Sequence, residues 1–140
     1  MVKFLFGLLV LAQMTWALPQ SVTVCNPKIN YKSQFQLVDQ SISVEINGKD
    51  QAGQPLQFKS DFQVLAAENF LVSDFKAEDV EAINTVADIK SFTGGTWLDL
   101  GSANQQQSSM LFFEFEPGQY SVLWLLQGSV IPLGKTTECN

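Results

Sequence analysis

The stretch Gln57–Ala66, QFKSDFQVLA, decides the fold class. Phe58, Ser60, Phe62, Val64 and Ala66 fall on one parity, and Gln57, Lys59, Asp61 and Gln63 fall on the other. Successive side chains of a strand point to opposite faces, so this period of two reads as a β-strand with one apolar and one wet face. One-sided burial is typical of antiparallel sheets, whose strands are joined by short hairpins.

Working outward, the same signal recurs. On the N-terminal side, Asn47-Gly48 is the commonest dipeptide of a two-residue hairpin turn, and the polar run Lys49 to Pro55 can lengthen it into a loop. Between Gln34 and Ile46 the apolar parity changes phase: Phe35 and Leu37 share one, Ile42, Val44 and Ile46 the other. A bulge or tight bend near Val38 to Ser41 accounts for the change. Ser21 to Cys25 is a short β-branched strand stopped by Asn26-Pro27. On the C-terminal side, Glu68-Asn69 reads as a turn into Phe70 to Phe75. Thr96 to Leu100 alternates with Leu98 and Leu100 opposed to Trp97 and Asp99. Gly101 to Ser109 is a polar loop with three consecutive glutamines. Met110 to Glu116 places Leu111, Phe113 and Phe115 inward, and Pro117-Gly118 turns the chain. Tyr120 to Leu126 is apolar on both faces, as a strand buried on both sides would be, and Val130 to Leu133 follows it.

The one helical pattern is 77–89, where Val80, Ile83 and Ala87 repeat at helical spacing and Glu78, Asp79 and Glu81 favour the positive end of the helix dipole. Seven or eight short strands in one domain predict a mostly β protein. We expect a small antiparallel β-sandwich with one short helix, and a barrel is the alternative. The expected core includes Phe62, Val64, Phe113, Phe115, Val122 and Trp124.

Composition narrows function by exclusion. Of 140 residues, 46% are hydrophobic and only 16% charged, which supports a sizeable core. The formal net charge is −6, with 14 acidic side chains against 8 basic ones, all lysine. A nucleic-acid partner requires clustered cations, so none is expected. Histidine is absent, which removes Ser-His-Asp and Cys-His catalysis and His-ligated zinc.

Residues 1–17 read as a secretory signal peptide, leaving 18–140 as a single extracellular β domain. Lys3 gives the positive n-region, Phe4 to Ala12 the apolar h-region, and Thr15-Trp16-Ala17 a small-residue cleavage site. No later stretch approaches the roughly 20 apolar residues of a membrane-spanning helix. The two cysteines, Cys25 and Cys139, lie near opposite ends, and secretion favours their oxidation to one disulfide.

Paired carboxylates are the one catalytic apparatus such a chain readily supplies. Glu114 and Glu116, two apart on a strand, are the candidate glycan-hydrolase pair, against the ordinary reading of surface charge. Asp74, Glu78, Asp79 and Glu81 form the densest acidic run, but no calcium-loop motif accompanies it, and neither metal nor cofactor is expected. Trp97 shares a face with Asp99 and is the candidate binding residue, for sugar stacking or protein contact; packing under the loop Gly101 to Ser109 or against a second sheet is its ordinary alternative.

Three functions are therefore carried forward. The favoured one is a secreted, non-catalytic extracellular binding protein of the effector, surface-coat or matrix type, with a protein or glycan partner. The second is a carrier holding a small apolar ligand in a barrel or between sheets. The third is the hydrolase. The leader reading is checked by N-terminal sequencing of the secreted protein: the first residue is expected to be Leu18, and a retained leader would overturn it.

Overall fold

The computed structural model describes residues 18–101 and 107–139. Eight strands run in the order β1 (Ser21–Asn26), β2 (Tyr31–Val38), β3 (Ser41–Lys49), β4 (Pro55–Leu71), β5 (Gly94–Gly101), β6 (Gln107–Glu116), β7 (Gln119–Leu126) and β8 (Ser129–Lys135), with the helix α1 (Ala77–Ala87) between β4 and β5. Each strand pairs antiparallel with its sequence neighbours, and β1 meets β8 through Cys25 opposite Lys135. The protein is thus mostly β and antiparallel with one short helix. Of the two architectures expected, it adopts the closed barrel and not the sandwich.

The reason lies largely in β4. Glu68-Asn69 is not a turn; the strand continues through it for 17 residues. Pro55 to Gln63 pairs with β3, and Gln63 to Leu71 pairs with β5. One strand serving two neighbours along different halves of its length staggers the sheet, and a staggered, tilted sheet can close on itself.

Turn chemistry explains two further departures. The phase change after Leu37 is a complete reversal at Asp39-Gln40, with Asp39 in the left-handed region, so β2 and β3 are separate strands. Asn47-Gly48 lies inside β3, paired with Leu56 and Gln57. A Cβ on Gly48 would sit 2.3 Å from the Asn30 carbonyl oxygen, so this glycine serves close approach rather than a turn. The reversal comes at Asp50 to Gln54, where Asp50 Oδ1 accepts the amides of Ala52 and Gln54 at 2.9 Å.

Two apolar cores result, one inside the barrel and one outside it. Phe35, Ile42, Val44, Leu98, Leu100, Met110, Phe112, Val122 and Leu133 fill the inside. Phe35 and Phe112 meet edge-to-face at 5.4 Å. Outside, Phe70, Phe92, Phe113, Leu111, Leu123 and Ala87 form a second cluster between the sheet and α1. The rings of Phe92 and Phe113 lie 5.0 Å apart. β6 is therefore buried on both faces, and the expected parity is reversed: Met110 and Phe112 point into the barrel, whereas Leu111 and Phe113, expected inward, are buried on the outer face against the helical cover, because this strand is apolar on both parities. Phe115, expected inward, is only half-buried, because a bulge between Glu114 and Glu116 breaks the alternation. A second bulge between Val64 and Ala66 leaves Ala66 exposed rather than inward and turns Leu65 to solvent, 52% exposed. Trp124, Phe62, Val64 and Val122 are buried as expected.

The helix ends at Ala87, two residues before the expected 89. Asp88 adopts the left-handed conformation that usually falls to glycine, and its amide returns to Asn84 and Thr85. This end is tied to the barrel. Ser121 Oγ donates to the Ala87 carbonyl at 2.8 Å, and Lys135 Nζ donates to the Asp88 carbonyl at 2.8 Å. Lys135 and Lys28 also pair with the Asp88 carboxylate, at 3.3 and 3.7 Å. Chiefly through Lys135, these cations hold the Asp88 carboxyl below its ordinary value of 3.8.

Two outcomes follow for stability. Phe113→Ala should destabilise the fold by about 3–5 kcal/mol, the usual penalty for emptying a buried aromatic site. Gln57→Ala, on the exposed parity, should stay within about 0.5 kcal/mol; urea unfolding of both checks the assignment, and equal effects would refute it. Because the folded-state pKa of Asp88 is depressed, its ion pairs stabilise the fold above the ordinary carboxyl value and are lost as pH falls through the lower folded value. Asp88→Asn keeps a residue tolerant of the left-handed backbone and removes the charge. The melting temperature of the wild type should exceed that of Asp88→Asn at pH 6, and the two should converge as pH falls below about 3.8; a gap that does not change with pH would refute the ion-pair role.

Candidate functional site

The outer face of β4 to β7 is only partly covered. The segment from β4 to β5, with α1, lies over Phe70, Phe113, Leu111 and Leu123. Trp97 stands at the margin of this cover, packed against the outer cluster and half-buried. Its expected outward orientation is correct, and the residue it touches by hydrogen bond is the one that shares its face: Trp97 Nε1 donates to Asp99 Oδ1 at 2.9 Å. Asp99 Oδ1 also accepts from Ser109 Oγ at 2.8 Å.

The register brings a second carboxylate alongside. Glu68 pairs directly with Trp97 across the β4–β5 ladder, and Ser109 pairs with Asp99 across β5–β6. Ala66, Ala67, Glu68, Trp97 and Asp99 line a shallow, open depression of about 330 Å3. Ligand sites run from about 300 to 1,000 Å3, so this one is small. An indole face beside carboxylates can stack on an apolar sugar or side-chain face while the carboxylates accept hydrogen bonds from its hydroxyls or amides.

Glu68 and Ser109 are the members that sequence reading missed. Glu68 looked like a turn residue, and Ser109 like the end of a loop. The bulge at Leu65 sets which β4 residue faces Trp97, and a parity count within one strand carries no trace of a neighbour's register. Of the loop Gly101 to Ser109, residues 102–106 lie outside the described residues; Gly101 and Gln107 to Ser109 belong to strands.

The carboxylates considered for hydrolysis, Glu114 and Glu116, flank a bulge in β6 and have different neighbours. Glu114 Oε2 accepts the Gly118 amide at 3.0 Å and so braces the β6–β7 turn. Glu116 follows the bulge and borders a separate open depression beside α1 with Glu81, Lys90 and Lys135. The acidic run divides similarly. Asp74 accepts the Leu71 amide at 2.8 Å, and Glu78 and Asp79 occupy the first turn of α1. Among the described residues no group of three or more acidic or cysteine side chains is placed to hold a metal. The phenol of Tyr120, which closes the inner core near Glu114, is pushed above its usual pKa of 10.0, first by burial and then by the Glu114 charge.

The cysteines are joined as expected: Cys25 and Cys139 form a disulfide with Cα atoms 5.0 Å apart. Among the described residues no helix is long and apolar enough to cross a membrane. Comparison with known proteins gives no match: no protein-family model, no curated protein and no solved structure aligns with this chain.

Proposed function

We propose that the chain is a secreted, non-catalytic extracellular binding protein of the effector, surface-coat or matrix type. Its contact surface is the outer barrel face around Trp97, and its partner is a protein or glycan. The observation that carries this reading is the half-buried Trp97 at the margin of the helical cover, its indole oriented by Asp99, with Glu68 and Ser109 beside it. An aromatic whose ring is already held in place loses little rotamer freedom on contact, which is how a few residues come to dominate an interface.

The competing readings have less support. Hydrolysis by a carboxylate pair needs both groups to flank one bond, and Glu114 and Glu116 are separated by a bulge and serve different surroundings. A carrier with its ligand in the middle of the barrel needs unfilled space there. Val24, Ile42, Val44, Leu98, Leu100, Met110, Phe112 and Val122 are fully buried, so no water-sized void borders them.

One assay ranks these readings. Trp97→Ala should leave the melting temperature nearly unchanged and weaken partner or glycan binding, by about thirtyfold if Trp97 contributes the roughly 2 kcal/mol of a central aromatic contact. Glu114→Gln with Glu116→Gln should leave biological activity intact. Loss of activity in a folded double variant would restore the hydrolase; unfolding of Trp97→Ala would make Trp97 a core residue and end the binding-face reading.

A further inference from the structure

The bulge at Leu65 cuts a groove across the outer face of the barrel. Residues paired through successive ladders form rows that cross the strands. One row over β4 to β7 is Glu68, Trp97, Leu111 and Leu123, and the next is Ala66, Asp99, Ser109 and Leu125. The first row is built of large side chains. In the second, the small residues Ala66 and Ser109 stand on either side of Asp99. Beyond it the extra residue of the bulge, Leu65, leans over Gly101, where a Cβ would lie 3.1 Å from Leu65 Cδ1. The second row is therefore a trough, with the Trp97 indole on one bank and the exposed Leu65 side chain on the other.

Open space follows the same line. The depression of about 330 Å3 at Trp97 and Glu68 adjoins one of about 440 Å3 lined by Leu65, Ser109 and Leu125, and the two share Ala66 and Asp99. Neighbouring strands lie about 4.8 Å apart, so the row from Ala66 to Leu125 spans about 14 Å. Charge along it has one sign. Glu68 and Asp99 are acidic, and among the described residues no lysine lines either depression. The Trp97 indole and the Ser109 hydroxyl, which donate to Asp99, are both neutral and orient its carboxylate without cancelling its charge. The formal charge of −6 on the whole chain adds an attraction for cations at longer range.

We infer that this groove binds an extended segment of a partner protein through an arginine side chain, with an apolar side chain three residues further on; this rests on the reading of the Trp97 face as the contact surface and names what it contacts. The guanidinium stacks on the Trp97 indole beside Glu68 and Asp99, where a planar cation meets the negative face of the ring and carboxylate acceptors together. Leu65 and Leu125 receive the apolar side chain. Leu125 lies two strand spacings from Asp99, about 10 Å, and an extended chain covers that distance in three residues at about 3.3 Å each. A neutral glycan would use the indole but would gain nothing from the sign of the charge and would leave Leu65 in water.

The test is a nuclear magnetic resonance titration of the mature protein, with the Trp97 indole N–H and the backbone amides as reporters. The probe is the peptide acetyl-Gly-Arg-Ser-Gly-Leu-Gly-amide. It should shift the Trp97 indole resonance saturably, with a dissociation constant below about 1 mM. The same peptide with citrulline for arginine keeps the shape and loses the charge, and should bind at least about tenfold more weakly. Asp99→Asn with Glu68→Gln keeps acceptors for Trp97 and Ser109 and removes both charges; it should weaken the arginine peptide by a similar factor. Leu65→Ser, at an exposed position, should lower the affinity to that of the peptide with glycine in place of leucine, and it keeps the groove testable if the double variant does not fold. Absence of a saturable shift, or equal binding of the citrulline peptide, would overturn the arginine ligand. Full binding to Leu65→Ser would overturn the apolar half of the groove. A saturable Trp97 shift with chitotriose and none with the arginine peptide would overturn this ligand and keep the Trp97 face, whereas peptide binding that survives Trp97→Ala would remove the face itself.

Discussion

The whole architecture rests on the seam between β1 and β8. Seven of the eight strand junctions are long ladders, but this one has a single register pair, Cys25 opposite Lys135. Side-chain chemistry reinforces it. Asn26 Nδ2 donates to the Pro132 carbonyl at 3.0 Å, and the disulfide joins Cys25 to Cys139 across 114 positions of sequence. Gly134 has a φ of 120°, and a Cβ there would lie 2.1 Å from the Cys25 carbonyl oxygen, so the strands can approach at this point only because that atom is missing. In the chain-entropy model a bridge of that span contributes on the order of 4–5 kcal/mol. Without closure, the meander would expose two unpaired edges, each a template for aggregation.

The seam also determines where the helix sits. Lys135 is the seam residue on β8, and its ammonium reaches the carbonyl and carboxylate of Asp88 at the end of α1. Barrel closure and helix docking therefore share one side chain. The docked segment covers Phe70, Phe113 and Leu123 but stops at Trp97, which leaves the strip with Leu65, Trp97 and Asp99 facing outward. The exposed face is thus a consequence of how far the cover reaches from its anchor, rather than of any local signal around Trp97.

Which parts were legible in the sequence follows from the range of the forces involved. Alternation in Phe58 to Val64 and Thr96 to Leu100 depends on one strand at a time; it marks Phe62 and Val64 as buried and sets Leu98 and Leu100 on one face opposite Trp97 and Asp99, as the structure has them. The pair of lone cysteines was equally readable. The bulge at Leu65 inserts one residue and inverts the parity beyond it, so Ala66 faces solvent and the strand runs on through Glu68, while on β6 both parities are apolar and alternation does not say which of them faces the lumen. Asn47-Gly48 has the chemistry of a hairpin, yet the carbonyl of Asn30, 18 positions earlier, claims the space beside Gly48. Closure itself depends on β1 meeting β8, a contact across nearly the full described chain. Strand spacing alone leaves sandwich and barrel open. The Glu68–Trp97–Asp99–Ser109 grouping was half readable: Trp97 with Asp99 by parity, the other two only through register.

A cross-braced barrel with a filled lumen has few ways to change shape. Its middle is packed, so strain introduced at one point meets neighbours that cannot yield. Recognition by such a scaffold must be carried by surfaces already in their working form. The outer face meets that condition, since one oxygen of Asp99 holds both the Trp97 indole and the Ser109 hydroxyl in place.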